Sequence, residues 1–155
     1  MIYKNIDSLQ KAKSYAFLLL KFRPRSEREL YARLKKKKFD QSVIKATLSF
    51  LKEKNFLDDN YFAQAWIESR LKKPFGLRRI AEELKQKDID KEIIRAQIEA
   101  SGKGYREEEV VLRLAQERWG KLKGLEPKKS KQRIFGYLLR RGFSPEIIIE
   151  TVNQL

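Results

Sequence analysis

The chain has 155 residues, 41% of them apolar and 37% charged, and its 36 lysines and arginines against 21 acidic residues leave it at +15. It has no cysteine and no histidine, which excludes disulfides, thiolate metal sites, imidazole bases, Ser-His-Asp triads and HExxH zinc sites. The length suits one domain or a short array of small units, and the charge calls for an anionic partner, nucleic acid before a lipid surface.

The opening Met1-Ile2-Tyr3-Lys4-Asn5-Ile6-Asp7 lacks the apolar stretch and cleavage site of a signal peptide. The longest apolar run, Tyr15 to Leu20, is far short of the ~20 residues that span a bilayer. A soluble cytoplasmic protein is expected. Apolar residues recur at three- and four-residue spacing and strand signals are nearly absent, so the expected fold class is all-α.

A first helix is expected over residues 8–22, ending at the linker Arg23-Pro24-Arg25. Ser26 and Glu29 then form an S-x-x-E capping box ahead of Leu30 and Leu34. Lys35 to Lys38, Phe39 and the N-cap Asp40 lead into a helix carrying Val43, Ile44, Leu48 and Leu51. The same order follows twice more, at offsets of 50 and 54 residues. Asp59 can cap a helix over residues 60–70, and Gly76 stands where Ser26 did, ahead of Ile80, Leu84, Ile89, the cap Asp90 and Ile93-Ile94. After Ser101-Gly102-Lys103-Gly104 comes a helix over residues 106–119 and a linker over residues 120–129. Ser130 takes the cap position before Ile134, Leu138, Phe143, the cap Ser144 with Pro145 at N1, and Ile147-Ile148.

Gly142 falls where a chain leaving a helix turns left-handed. Lys38 and Asp88 hold the matching sites, so the first two turns are expected to be strained or differently shaped. The resulting architecture is three tandem three-helix repeats, over residues 1–52, 53–102 and 103–155, in an elongated, curved array. Units of about 50 residues are near the lower limit for folding alone, so neighbours are expected to share apolar surface. No leftover apolar stripe asks for a partner, and a monomer is expected.

Residues 21–52 carry eleven basic and three acidic side chains, residues 53–109 twelve and thirteen, and residues 110–155 ten and four. Two basic regions thus flank a balanced middle. The densest run is Lys35, Lys36, Lys37 and Lys38, favoured at a helix C-terminus by the dipole but also suited to phosphate or acidic protein, and Arg140-Arg141 recurs at the matching place. Arg78-Arg79 could meet phosphate or pair with Glu82 and Glu83 at i+4. Arg25, Lys128, Lys129 and Lys131 complete the candidate contacts. Asp58-Asp59 suits helix capping better than a divalent ion, and Glu107-Glu108-Glu109 reads as a dipole-favoured first turn. Tyr15, Tyr61, Trp66 and Trp119 occupy core-compatible helical positions, with base stacking the lesser reading. There is no Gly-rich phosphate loop, and no cofactor or metal is expected.

Arg25-Ser26-Glu27-Arg28-Glu29-Leu30 with Leu34 and Phe39 resembles the RecX family of recombinase regulators. So do Asn55-Phe56-Leu57-Asp58-Asp59-Asn60-Tyr61-Phe62-Ala63 with Trp66 and Arg70, Gly76 with Arg79-Ile80 and Glu83-Leu84, and Leu138 to Ser144. The likeness covers residues 10–155 and departs at Lys38 and Asp88, where the family usually has glycine. It implies three repeated three-helix units, binding in the groove of the RecA recombinase filament, and modulation, usually inhibition, of RecA ATP hydrolysis, strand exchange and cleavage of the SOS repressor. The lysine run and Arg140-Arg141 would then meet acidic recombinase surface or DNA phosphates. The alternative is a stand-alone DNA-binding protein, since three-helix units of this kind resemble helix-turn-helix domains. The early positions of the third helices lack a cluster of base readers, so binding to single- or double-stranded DNA is expected to be weak, sequence-independent and salt-dependent. A nuclease is the least supported class, with only Asp58-Asp59 as a start toward a metal site.

Overall fold

The computed structural model describes residues 2–155, with side chains from Asn5 onward; Met1, the first residue of the stretch considered for a leader, lies outside the described residues. Among the described residues there are nine helices and no strand. They are α1 (Ile2–Phe22), α2 (Glu27–Lys36), α3 (Gln41–Glu53), α4 (Asp59–Leu71), α5 (Leu77–Gln86), α6 (Lys91–Ser101), α7 (Glu107–Lys121), α8 (Pro127–Arg140) and α9 (Pro145–Asn153). The i, i+4 pairs that define the repeat, Leu30 with Leu34, Ile80 with Leu84 and Ile134 with Leu138, are all fully buried.

Four helix ends share one device. The N–H groups of Lys38 and Phe39 donate to Lys35 O and Leu34 O, those of Asp88 and Ile89 to Lys85 O and Leu84 O, and those of Gly142 and Phe143 to Leu139 O and Leu138 O. This is the Schellman ending, in which a left-handed residue turns the chain back and satisfies the last carbonyls. Its left-handed residues are Lys38 (φ 63°), Asp88 (φ 59°) and Gly142 (φ 91°). The first two turns therefore keep the shape of the third and carry strain at a side chain, rather than being differently shaped. Asn55 (φ 58°) ends α3 the same way, with Asn55 and Phe56 donating to Lys52 O and Leu51 O.

Several boundaries differ from the sequence expectation. Helix α1 begins at Ile2, because residues 2–7 hold no glycine or proline to stop it. Asp58, not Asp59, caps α4, accepting from Asn60 N–H at 2.8 Å. Helix α8 begins a turn early, with Glu126 as N-cap and Pro127 at N1, so Ser130 is a buried helix residue and not a cap.

The helices pack as α1–α3, α4–α6 and α7–α9, around three separate apolar clusters. Among the described residues the substantial helix packing lies within units, and the units meet at joints built chiefly of hydrogen bonds and ion pairs. The accessible surface is 10477 Å² for 18.4 kDa, against roughly 8200 Å² for a compact monomer of that mass, as an elongated array requires.

Candidate functional site

The joints decide which basic side chains are free. At the first, Glu27 N–H donates to Asp59 Oδ1 at 3.1 Å, and Lys87 Nζ donates to Glu29 Oε1 at 2.8 Å. At the second, Leu77 N–H donates to Glu107 Oε1 at 2.8 Å, and Gly76 N–H to Arg141 O at 2.9 Å. The carboxylate is placed the same way twice: the first residue of α2 or α5 donates its N–H to the carboxylate of the first residue of α4 or α7. The cation after the next middle helix reaches Glu29 in α2 at the first joint and the carbonyls just ahead of α5 at the second.

Lys37, Lys87 and Arg141 are equivalent C-cap residues. Lys87 and Arg141 are committed to joints. Arg141 donates to Pro74 O at 3.1 Å and to Lys73 O, and its guanidinium lies 4.8 Å from the Phe75 ring centre. Arg79 stacks on the same ring at 4.0 Å, pairs with Glu83 at 3.0 Å and donates to Arg140 O at 3.2 Å. Both candidate arginines thus spend their polar groups inside the molecule, joining the second and third units. Lys37 meets no other unit among the described residues.

Lys35, Lys36, Lys37 and Lys38 are all exposed, and none makes an ion pair among the described residues. Two lie near aromatic faces, Lys35 at 5.9 Å from the Tyr31 ring and Lys37 at 5.2 Å from Tyr15. Arg78, Lys128, Lys129 and Arg140 are exposed, while Arg25 and Lys131 are half-buried. Burial pulls the Arg25 guanidinium pKa down, with Arg23 adding to the effect, and its Nε is buried without a partner.

The carboxylates at the joints are tuned in opposite directions. Burial pushes the Glu29 carboxyl up, but hydrogen bonds from Arg23 and Lys87 outweigh it and hold it below the usual range. Burial raises Asp59 and Glu107, each only partly relieved by the backbone N–H it accepts. Burial beside Glu107 pushes the Tyr105 hydroxyl up to about 12, and it donates to Phe75 O at 3.0 Å. Glu83 gathers Trp66, Arg70 and Arg79 at 3.0, 2.7 and 3.0 Å. Trp66, Trp119 and Tyr15 pack against the cores as expected, but Tyr61 is 61% exposed. No group of three or more acidic side chains that could hold a metal ion occurs among the described residues. No helix among them is long and apolar enough to cross a membrane.

Sequence reasoning missed the joint residues Lys87, Asp59 and Glu107, though the repeat alignment already placed Lys37, Lys87 and Arg141 in register. Together the joints and the exposed cations define a tandem three-helix array with a basic surface suited to an anionic partner. Three family descriptions match in order: RecX first three-helix domain over residues 12–51, second over residues 58–96 and third over residues 106–152. The chain belongs to the RecX family.

Regulatory protein RecX of Mycobacterium sp. (strain JLS) is 34% identical over 149 residues, spanning 93% of this chain and 81% of that protein. Regulatory protein RecX of Clostridium botulinum (strain Eklund 17B / Type B) is 28% identical over 155 residues, spanning 99% and 72%. The crystal structure of RecX from Lactobacillus salivarius superposes with a TM-score of 0.84 over 97% of each chain, at 20% identity, a likeness of fold. A crystal structure of regulatory protein RecX gives the same TM-score over 98% of this chain and 74% of that one.

Proposed function

We propose that this chain binds filaments of the RecA recombinase and lowers their ATP hydrolysis, strand exchange and repressor-cleaving activity, without catalysis of its own. Its site of action is the cytoplasm and its working form a monomer laid along the filament groove. One observation carries the reading: the lysine turn of the first unit is the counterpart of joint cations that grip neighbouring units, yet it is exposed and makes no ion pair among the described residues. Acidic recombinase surface or filament DNA phosphate completes it, with Arg78, Arg140, Lys128 and Lys129 as further contacts. Arg79 and Arg141 act by holding the units in line.

The test is RecA ATP hydrolysis on single-stranded DNA, with this protein titrated below the RecA concentration, beside a salt-matched titration of bare DNA. Suppression at substoichiometric protein with weak binding to bare DNA is the expected result. Unchanged hydrolysis with tight binding to bare DNA would favour a stand-alone DNA-binding protein, with the family likeness one of fold.

A further inference from the structure

Beside the first joint the surface opens into a cleft of about 650 Å³, lined by the end of α1, the turn after α3 and the start of α4. Three aromatic side chains border it: Phe22, Phe56 and Tyr61, which are 76%, 54% and 61% exposed. None of these rings belongs to an apolar core. The Phe56 ring is nonetheless held in place, edge-on to Phe17 at 4.9 Å between centres. Phe56 is fixed yet uncovered, Phe22 and Tyr61 add two further exposed rings that gain little from burial, and all three have faces open to a ligand.

The same cleft is lined by cations with little to do inside the molecule. Lys21 and Arg25 make no ion pair among the described residues, and the Arg25 Nε is closed off from water with no acceptor. The rest of the half-buried Arg25 guanidinium faces the cleft, where an anion would partner it. Asp58 is the one carboxylate in the lining, and it is engaged in capping α4.

We propose that this cleft holds an unpaired nucleotide of a single strand, the base stacked on Phe22 and Tyr61 and its phosphate on Lys21 and Arg25. Exposed rings beside cations match what a single strand offers, a flat base next to a charge. A duplex keeps its base faces stacked inside and would use only the cations. An acidic peptide supplies the charge but no regular series of flat faces. The site is independent of recombinase binding, so it is tested on bare nucleic acid.

The experiment measures fluorescence anisotropy with three labelled probes: oligothymidine of about 12 nucleotides, an abasic strand of the same length and charge, and a duplex of that length. The native protein is expected to bind oligothymidine at least about tenfold more tightly than the abasic strand, and a Phe22→Ala, Tyr61→Ala double variant to lose that margin. Binding of that variant to the abasic strand and duplex should be unchanged, and its helical circular dichroism should match the native protein because both rings are exposed. Lys21→Gln should weaken all three probes and lower the salt slope by about one. Equal binding of oligothymidine and abasic strand, or a double variant that binds oligothymidine as tightly as the native chain, would overturn the proposal. Loss of recombinase binding by the double variant with oligothymidine binding intact would also overturn it, and make the cleft a protein-docking site.

Discussion

Lys87 Nζ lies 2.8 Å from Glu29 Oε1, so the end of α5 in the second unit closes on the start of α2 in the first. The side chains are 23% and 17% exposed, and Glu29 also serves its own capping box and accepts from Arg23 at 3.0 Å. Lys87→Met should lower stability by about 1–2 kcal/mol, in line with loss of a charge-assisted hydrogen bond. A cycle with Glu29→Gln should give coupling of at least about 0.5 kcal/mol in denaturant unfolding. Strictly additive effects would show that the pair contributes nothing to the joint.

The second joint rests on backbone proximity. A Cβ added at Gly76 would sit 2.2 Å from both the carbonyl carbon and oxygen of Gly142. Gly76 has φ −72°, which alanine adopts freely, so the second unit itself tolerates the change. Gly76→Ala should therefore force the second and third units apart, cost about 1–3 kcal/mol, and raise the radius of gyration in solution scattering. An unchanged radius with native stability would contradict the close approach.

Lys38 carries φ 63° without the freedom of glycine. Lys38→Gly should raise stability by up to about 1 kcal/mol, relief of left-handed strain exceeding the added flexibility of the unfolded chain. Thermal unfolding at neutral pH measures it, with a shift of about 2–4 °C expected for a chain of this size.

The pH dependence has two opposed parts. The Glu29 carboxyl is held low by its cations despite burial, so its contribution is full above the unfolded-state pKa and is lost as pH falls through the lower folded value. Glu107 is held high by burial, so its charge costs stability as pH rises from the unfolded value through the folded one. Glu29→Gln keeps the capping geometry and should lower melting temperature at neutral pH while flattening the acid limb. Glu107→Gln keeps an acceptor for Leu77 N–H and should leave neutral stability intact or improved. Melting curves between about pH 3 and 7 separate the two.

The four lysines from Lys35 to Lys38 are exposed and make no ion pair among the described residues. Replacing all four with glutamine should leave each site within about 0.5 kcal/mol of native stability, yet weaken suppression of RecA ATP hydrolysis several-fold. Undiminished suppression at physiological salt would remove the lysine turn from the contact surface.

The helices and their repetition were legible because burial leaves a periodic trace: Leu30, Ile80 and Ile134 appear in register and all reach full burial. The Schellman turns were legible at Gly142 and foreseeable at Lys38 and Asp88, since the repeat carries the conformation where the residue type does not. The joints were hidden. Asp59 and Glu107 look like ordinary first-turn acids, and only the fold shows that each accepts an N–H from 30 or 32 residues earlier in the chain. The lysine run was visible as a candidate contact, but whether a given cation is free depends on whether a unit lies beside it. Arg141 and Lys37 share a position, and of the two only Arg141 has another unit beside it among the described residues. Tyr61 was misread because helical spacing alone does not separate a core face from the wall of a cleft.

Each joint is head-to-tail, and a contact between unlike faces has no symmetry to close it, so copies could in principle add without limit. Glu27 and Leu77, at the first position of their helices, donate the N–H that receives the next unit. In the third unit the first helical residue is Pro127, which has no N–H to donate, one turn ahead of the repeat position next to the buried Ser130. The first helical residue of α8 therefore cannot offer the N–H that takes the neighbouring carboxylate at both joints.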